Sequence, residues 1–233
     1  MIEILIPTYN EAGNIASIIA RVREVVPQAR IRVIDDNSPD GTGKIVADIA
    51  ARDPQVRLLS RTGKEGLGKA YLHGFSEALK DESITHVLMM DADFSHDPEY
   101  IPELIAKSAD HELVTGSRYI PGGATEGWEG WRRYLSTGGN TYVRAILGIP
   151  VHDVTAGFNL IATDALRRVD FSRLDASGYA FQIELKYLLW KSGARPAEVP
   201  ILFRNRREGE SKISNHIIAE GLLAPWKLLL KNH

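Results

Sequence analysis

Five short apolar runs alternate with stretches whose apolar residues recur every three or four positions, and this rhythm fills the first two-thirds of the chain. Residues 2–6, 31–34, 56–59, 86–90 and 113–115 read as strands, most of them rich in Val and Ile. Between them, Ile15, Ile18, Ile19, Val22 and Val26 keep helical spacing, and residues 45–49, 68–79 and 100–106 read as further helices. Residues 87–90 contain no polar side chain, the pattern of a strand buried on both faces. Strand–helix alternation of this kind predicts an α/β fold, a Rossmann-like, mainly parallel sheet flanked by helices. Farther along, 132–147, 181–191 and 213–230 read as helices and 197–203 as a late strand. Residues 121–130, with four glycines and no periodicity, read as a mobile loop.

Length and composition narrow the class. The 233 residues suit one domain spanning 1–233. Lys and Arg number 28 against 30 Asp and Glu, and a net charge of −2 argues against a dedicated nucleic-acid binder. Cysteine is absent, which excludes a disulfide scaffold and thiolate-bound zinc or iron–sulfur clusters. The seven histidines form no H-x-x-x-H pair, and no G-x-S-x-G element exists, so a histidine zinc site and a serine hydrolase are disfavoured. Apolar runs stop at four residues, far short of the roughly 20 that a spanning helix needs. The opening residues lack the basic stretch of a signal peptide. The expectation is an intracellular protein, soluble or peripheral to a membrane.

In open α/β sheets ligands bind beyond the carboxyl ends of the strands. There this sequence places Pro7-Thr8-Tyr9-Asn10-Glu11, Asp35-Asp36, Asp91-Ala92-Asp93-Phe94-Ser95-His96 and Gly116-Ser117-Arg118-Tyr119. Asp91 and Asp93, two apart in extended chain, share a side. Two adjacent carboxylates repel unless a cation joins them, and hard oxygen ligands suit Mg²⁺ or Mn²⁺. The plainer alternative is a solvated acidic turn. Asp35 could accept from a ribose or base, whereas Asp40 in Ser38-Pro39-Asp40-Gly41 reads as turn chemistry. Thr8 and Glu11 have capping-box spacing, a rival to ligand binding for Glu11. Tyr9 could stack on a base or staple the following helix. Gly63-Lys64-Glu65-Gly66-Leu67-Gly68-Lys69-Ala70 approaches a phosphate loop, but Ala70 stands where that motif needs a hydroxyl. Arg204, Arg206, Arg207 and Lys212 bracket a Gly-Glu-Ser segment that could close over phosphates.

These segments, in this order, resemble family 2 glycosyltransferases of the polyprenol (dolichol) phosphate mannose synthase type. The resemblance runs through Pro7–Glu11, Asp35–Thr42, Gly66-Leu67-Gly68, Asp91–His96, Gly116–Tyr119 and Gly209-Glu210-Ser211-Lys212. It implies a GT-A fold and an inverting transfer of mannose from GDP-mannose to a polyprenyl (dolichyl-type) monophosphate. Carried over by position, Pro7, Tyr9, Glu11, Val33, Asp35 and Ala92 would hold the nucleotide. Asp91 and Asp93 would bind a divalent cation and the diphosphate. Ser95 takes a third metal-ligand position where relatives often carry Gln. Arg206 and Lys212 would engage the donor diphosphate, and Arg118, Arg132 and Ser136 the acceptor phosphate, with Arg133 adjoining Arg132. Asp153 would orient the acceptor site or an arginine. Ile217, Ile218, Leu222, Trp226 and Leu229 keep three- and four-residue steps, so an amphipathic helix near 213–231 could lie on a membrane or pack on the core. The resemblance implies peripheral contact with the cytoplasmic face of a membrane, through such a helix or a membrane-anchoring partner subunit. UDP-glucose as donor, nucleotidyl transfer, and a non-catalytic nucleotide-sugar-binding module stay open as alternatives.

Overall fold

The structure, a computed structural model, describes residues 1–174, 180–204 and 223–230. Its strands are β1 (Ile2–Thr8), β2 (Arg30–Asp35), β3 (Val56–Ser60), β4 (His86–Met89), β5 (Leu113–Ser117), β6 (Ala124–Glu126), β7 (Asn159–Ala162), β8 (Pro196–Pro200) and β9 (Leu202–Arg204). Its helices are α1 (Ile15–Val25), α2 (Thr42–Ala50), α3 (Leu67–Ala78), α4 (Ile101–Lys107), α5 (Gly130–Leu147), α6 (Thr163–Arg167) and α7 (Phe181–Lys191). Seven strands form one sheet in the order β3-β2-β1-β4-β7-β5-β8, and β6 pairs with β9 in a second, two-stranded sheet.

Alternation along the strands explains the layers. Leu5 of β1 and Val87 and Met89 of β4 join one apolar cluster with α3, α6 and α7. Their neighbours Ile4, Ile6 and Leu88 point the other way, into a second cluster with α1 and α4. Burial on both faces is why residues 87–90 carry no polar side chain. In α3, Gly74 lets the helix lie close on the sheet, since a Cβ there would meet Ile34 and Leu5 at 2.6 and 2.7 Å.

The chain runs outward from β1 through β2 to β3, then returns to β4 on the other side of β1. The switch point, and with it the crevice where such sheets bind ligands, lies between the carboxyl ends of β1 and β4. One strand is reversed. β7 runs antiparallel to both β4 and β5, with Asn159 opposite Met89 and Thr115. The segment entering β7 therefore arrives at the same edge as the ends of β4 and β5.

Several expectations need correction. Residues 121–130 contain β6, paired in parallel with β9 from Ala124↔Leu202 to Glu126↔Arg204. The late strand over 197–203 is two strands, β8 in the large sheet and β9 in the small one. No capping box forms at α1. Asn14 is its N-cap residue, and the Thr8 hydroxyl instead donates to Asp35 Oδ1 at 3.0 Å. Of the amphipathic stretch near 213–231, residues 223–230 are helical, and the rest of it lies outside the described residues. Among the described residues, no helix is long and apolar enough to cross a membrane.

Candidate active site

The loops after β1 and β2 are laced together by short polar side chains. Backbone N–H groups of Asn10, Glu11 and Ala12 donate to Ser38 Oγ, Thr42 Oγ1 and Asp40 Oδ2 at 3.0, 2.9 and 3.0 Å. Asp40 also accepts from the Thr42 amide and hydroxyl, so it is a turn residue, and these bonds hold its carboxyl below the usual range against its slight burial. Asp35 is buried at the end of β2. Its Oδ1 accepts from Thr8 and Ser38 hydroxyls and its Oδ2 from the Ser38 amide, which commits much of the carboxylate to the turn. Beside it, burial pushes the Asp36 carboxyl up despite the Arg61 guanidinium 2.6 Å away. Tyr9 stands exposed with Lys64 Nζ 4.2 Å from its ring centre, leaving the ring at the crevice mouth and not stapled to α1. Pro7 and Glu11 are half-buried, and Glu11 Oε2 accepts from Asn14 Nδ2 at 3.0 Å.

The acidic turn follows β4 directly. Ser95 directs its amide and hydroxyl to Asp93 Oδ1 at 3.0 and 2.6 Å, fixing that carboxylate's direction. Asp93 and Ala92 are buried, while the Asp91 side chain keeps 32 % of its area exposed. His96 lies beneath. Its Nδ1 accepts the Asp91 amide at 3.1 Å, and burial pushes its imidazole below the ordinary value against the pull of Asp91 and Asp93. The ring is therefore neutral, with its proton on Nε2. It stacks on Phe158 at 5.0 Å, an approach that Gly157 permits because a Cβ there would come 3.2 Å from His96 Cε1. Among the described residues, the non-glycine positions with positive φ are Asn10, Asn37 and Phe94, in the loops after β1, β2 and β4. Such conformations, costing about 1–3 kcal/mol each, cluster where a fold holds a site. The turn offers oxygen donors only, which suits Mg²⁺ or Mn²⁺. No group of three or more His, Cys, Asp or Glu among the described residues could hold a metal alone.

Across the switch point the polar groups are cationic. Arg118, just past β5, donates through Nε and Nη2 to the two oxygens of Asp153 at 2.7 Å each, and through Nη2 to Thr155 at 2.9 Å. Asp153 is fully buried, which alone would raise its carboxyl. The charge and hydrogen bonds of Arg118 outweigh this and hold it below the usual carboxylate range. The loop carrying Asp153 is fastened from two sides. Glu198 accepts from the amides of His152 and Asp153, and the buried Lys186 ammonium donates to the carbonyls of Val154 and Ala156 at 3.3 and 2.5 Å. Burial pushes Lys186 down to about 7, with Asp153 opposing.

Helix α5 adds Arg132 and Ser136. The Arg132 guanidinium lies 4.3 Å from the centre of the Trp128 ring, and Ser136 Oγ accepts from the Tyr119 hydroxyl at 2.6 Å. Arg133 points outward, so Arg132 is the member of that pair that faces the site. Asn140 ties α5 to the loop before β7, donating to Thr155 Oγ1 and accepting from the Thr155 amide at 3.2 Å each.

The structure thus gathers Asp91, Ala92, Asp93 and Ser95 into one turn after β4, at the same sheet edge where β1 and β2 end with Pro7, Tyr9, Glu11 and Asp35, and ties Arg118, Arg132 and Ser136 together through Tyr119 and Trp128. Val33 is not brought to the surface of the crevice; its side chain is wholly buried in the core between β2 and α1. Arg206 and Lys212 lie outside the described residues. Sequence reasoning missed Trp128, Asn140, Thr155 and Lys186. Asn140 and Thr155 pair 15 positions apart, Lys186 reaches carbonyls 32 and 30 positions away, and Trp128 offers an aromatic face, none of which a local pattern announces.

A carboxylate pair and a pair of arginines stand at one edge of an α/β sheet, groups whose chemistry suits a cation and phosphate oxygens. Residues 3–170 match the family described as Glycosyl transferase family 2, and the chain belongs to that family. It is a glycosyltransferase with the GT-A fold. The chain is 43% identical over 228 residues to the polyprenol monophosphomannose synthase of Mycolicibacterium smegmatis, covering 96% of this chain and 85% of the relative. It is 40% identical over 231 residues to the undecaprenyl-phosphate mannosyltransferase of Micrococcus luteus, covering 96% and 95%. Among solved structures, glucosyl-3-phosphoglycerate synthase from Mycobacterium tuberculosis, with Mn²⁺, UDP and phosphoglyceric acid, shares the fold at TM-score 0.70 and 19% identity, covering 98% of this chain and 78% of that one. A mannosyltransferase from Pyrobaculum calidifontis, with GDP-mannose and Mn²⁺, does so at TM-score 0.60 and 15% identity, covering 99% and 74%.

Proposed function

We propose that this enzyme moves mannose from GDP-mannose to a polyprenyl monophosphate, with inversion, giving polyprenyl phosphate mannose. The observation that carries the reading is the juxtaposition of two phosphate-handling edges, the Asp91–Asp93 turn and the Arg118–Arg132 pair. Two relatives at 40% identity or more, named for polyprenyl mannosyl transfer, support the same acceptor and sugar. GDP-mannose is the donor that the family resemblance implies.

Asp91 and Asp93, with Ser95 behind them, would hold a Mg²⁺ or Mn²⁺ ion. When bound, that ion supplies charge neutralisation to the departing diphosphate. The acceptor needs no strong base, because a phosphate monoester with a second pKa of about 6 is largely dianionic at neutral pH. Its oxygen forms a bond to the anomeric carbon as the bond from that carbon to the diphosphate breaks, and one displacement inverts the centre. Asp153 is committed to Arg118 and stays ionised, so its part is to aim the guanidinium. Arg118 and Arg132 then contribute mainly by orientation.

The acceptor's lipid chain calls for a membrane surface, and the protein offers one. Trp131, Tyr134 and Leu135 of α5 are exposed on the helix that carries Arg132, with Tyr134 at 81%. Leu223, Trp226 and Leu230 are exposed on the helix over 223–230, and Trp226 Nε1 donates to Tyr142 Oη of α5 at 2.8 Å. Aromatic and aliphatic side chains of this kind favour the interfacial layer of a bilayer. That surface supports peripheral contact with a membrane, and the family resemblance places that contact on the cytoplasmic face.

The test is a donor panel with the full chain, Mn²⁺, a polyprenyl phosphate and each sugar nucleotide in turn. Lipid-linked mannose from GDP-mannose is the expected product. Lipid-linked glucose from UDP-glucose with none from GDP-mannose would overturn the donor. Pyrophosphate release from a nucleoside triphosphate and a sugar phosphate would point to nucleotidyl transfer instead. GDP binding without turnover on any lipid phosphate would leave only a binding module.

A further inference from the structure

Trp128 lies just before α5, in a segment that holds no core position, yet its ring meets both arginines of the acceptor edge. The Arg132 guanidinium carbon is 4.3 Å from its ring centre and that of Arg118 is 5.4 Å away, both within cation–π range. The ring meets Phe203 of β9 edge-on at 5.6 Å, and Phe203 in turn lies 5.3 Å from Arg118 and 5.9 Å from His96 beneath the acidic turn. Two guanidinium groups repel each other, and an aromatic face that attracts both offsets that repulsion.

The other end of the indole carries the second observation. Trp128 Nε1 is buried and has no hydrogen-bond partner among the described residues. Leaving such a donor unsatisfied costs about 1–3 kcal/mol, and a Phe at this position would avoid the cost while keeping the ring face. Thr125 Oγ1, on β6 opposite Phe203 in register, is a second buried group without a partner. On Arg118, Nε and Nη2 are taken by Asp153 and Thr155, and among the described residues no bond is made by Nη1. A phosphate monoester presents three terminal oxygens to such donors.

We propose that Trp128 builds the acceptor-phosphate subsite, its ring face holding Arg118 and Arg132 together and its buried indole N–H donating to a phosphate oxygen. The inference rests on the acceptor being a phosphate monoester. It assigns Trp128 two separable tasks, and two variants separate them. Trp128→Phe keeps the face and removes the donor; Trp128→Leu removes both.

With the full chain and Mn²⁺, Trp128→Phe is expected to raise the acceptor KM about tenfold, the worth of one hydrogen bond to a charged group, with kcat and calorimetric GDP affinity unchanged. Trp128→Leu is expected to lose about a further tenfold in kcat as the arginines separate. Indole N–H resonances of the ¹⁵N-labelled protein give an independent readout, with Trp128→Phe identifying the peak. That peak should move on adding farnesyl phosphate and stay in place with farnesol. A wild-type acceptor KM in Trp128→Phe, an equal loss of GDP affinity in both variants, or a peak that ignores the phosphate would each overturn the assignment. A peak that responds to farnesyl phosphate in an enzyme that transfers no mannose would keep the subsite and overturn the proposed function.

Discussion

Asp93 is held by Ser95, two residues on, whereas Arg118 is held by Asp153, thirty-five residues on. The same contrast runs through the two edges of the crevice. On the acidic side, Asp35 takes its bonds from Ser38 and Thr8, Asp40 from Thr42, and the Asp91 amide from His96. On the cationic side, Trp128 leans on Phe203, Asn140 on Thr155, and Lys186 on Ala156. On the first edge the acidic turn itself is made by residues two to five positions apart, although the β1 and β2 loops beside it are laced across 25 to 31 positions. The other exists only once distant segments have packed. A mutation on the first should cost chemistry and spare the fold; a mutation on the second should cost both.

The sharpest way to break that contrast is Asp93→Ala. Turnover should fall about a thousandfold, equivalent to about 4 kcal/mol of barrier, with the thermal midpoint little changed. Product assays beside circular dichroism decide it, and near-wild-type activity would remove the carboxylate from the chemistry. Asp153→Asn comes next. It leaves a buried guanidinium without its counter-charge, so about 3 kcal/mol of stability should go along with acceptor use, as urea unfolding would register. A variant that loses activity alone would make Asp153 a direct participant and not a brace.

Lys186 gives the contrast a pH dependence. Its folded pKa of about 7 lies below the unfolded value of about 10.4. Between those values the unfolded chain binds the extra proton, so this group makes stability rise with pH, by at most about 1.4 kcal/mol per unit, and contributes no slope below 7 or above 10.4. Unfolding free energies of wild type and Lys186→Met, compared from pH 6 to 10, should show that difference; parallel curves would mean the folded lysine keeps its charge. The smallest effect belongs to Arg133→Ala. Because Arg133 points outward, acceptor KM should stay within about twofold of wild type, while Arg132→Ala should raise it about tenfold with GDP affinity intact. A reversed order would exchange the roles of the two neighbours.

The same contrast explains what could be read in advance. Residues 87–90 name a doubly buried strand, and an acidic pair directly after it can only sit at the sheet edge, so fold class and acidic turn were legible from spacing alone. β7 was not. Its four residues set no period, and its direction is decided by pairing with Met89 and Thr115. β6 is three residues long and is a strand only because β9 lies beside it, 78 positions on. The capping box failed for a related reason, since the Thr8 hydroxyl had a buried carboxylate within reach across the sheet. Trp128 sits among glycines and reads as loop filler until its two cations are seen.

The reversed strand has a consequence for how such an enzyme can diversify. Because β7 enters from the same edge at which β4 and β5 leave, everything from Arg118 to Phe158 forms one excursion that starts and finishes beside the crevice. Insertions or exchanges within that excursion leave the registers of β1, β2 and β4 untouched. On the proposed function this excursion carries the acceptor side, and because Val143, Leu147, Val151 and Val154 within it belong to the core, an exchange there keeps the fold only if it keeps those positions.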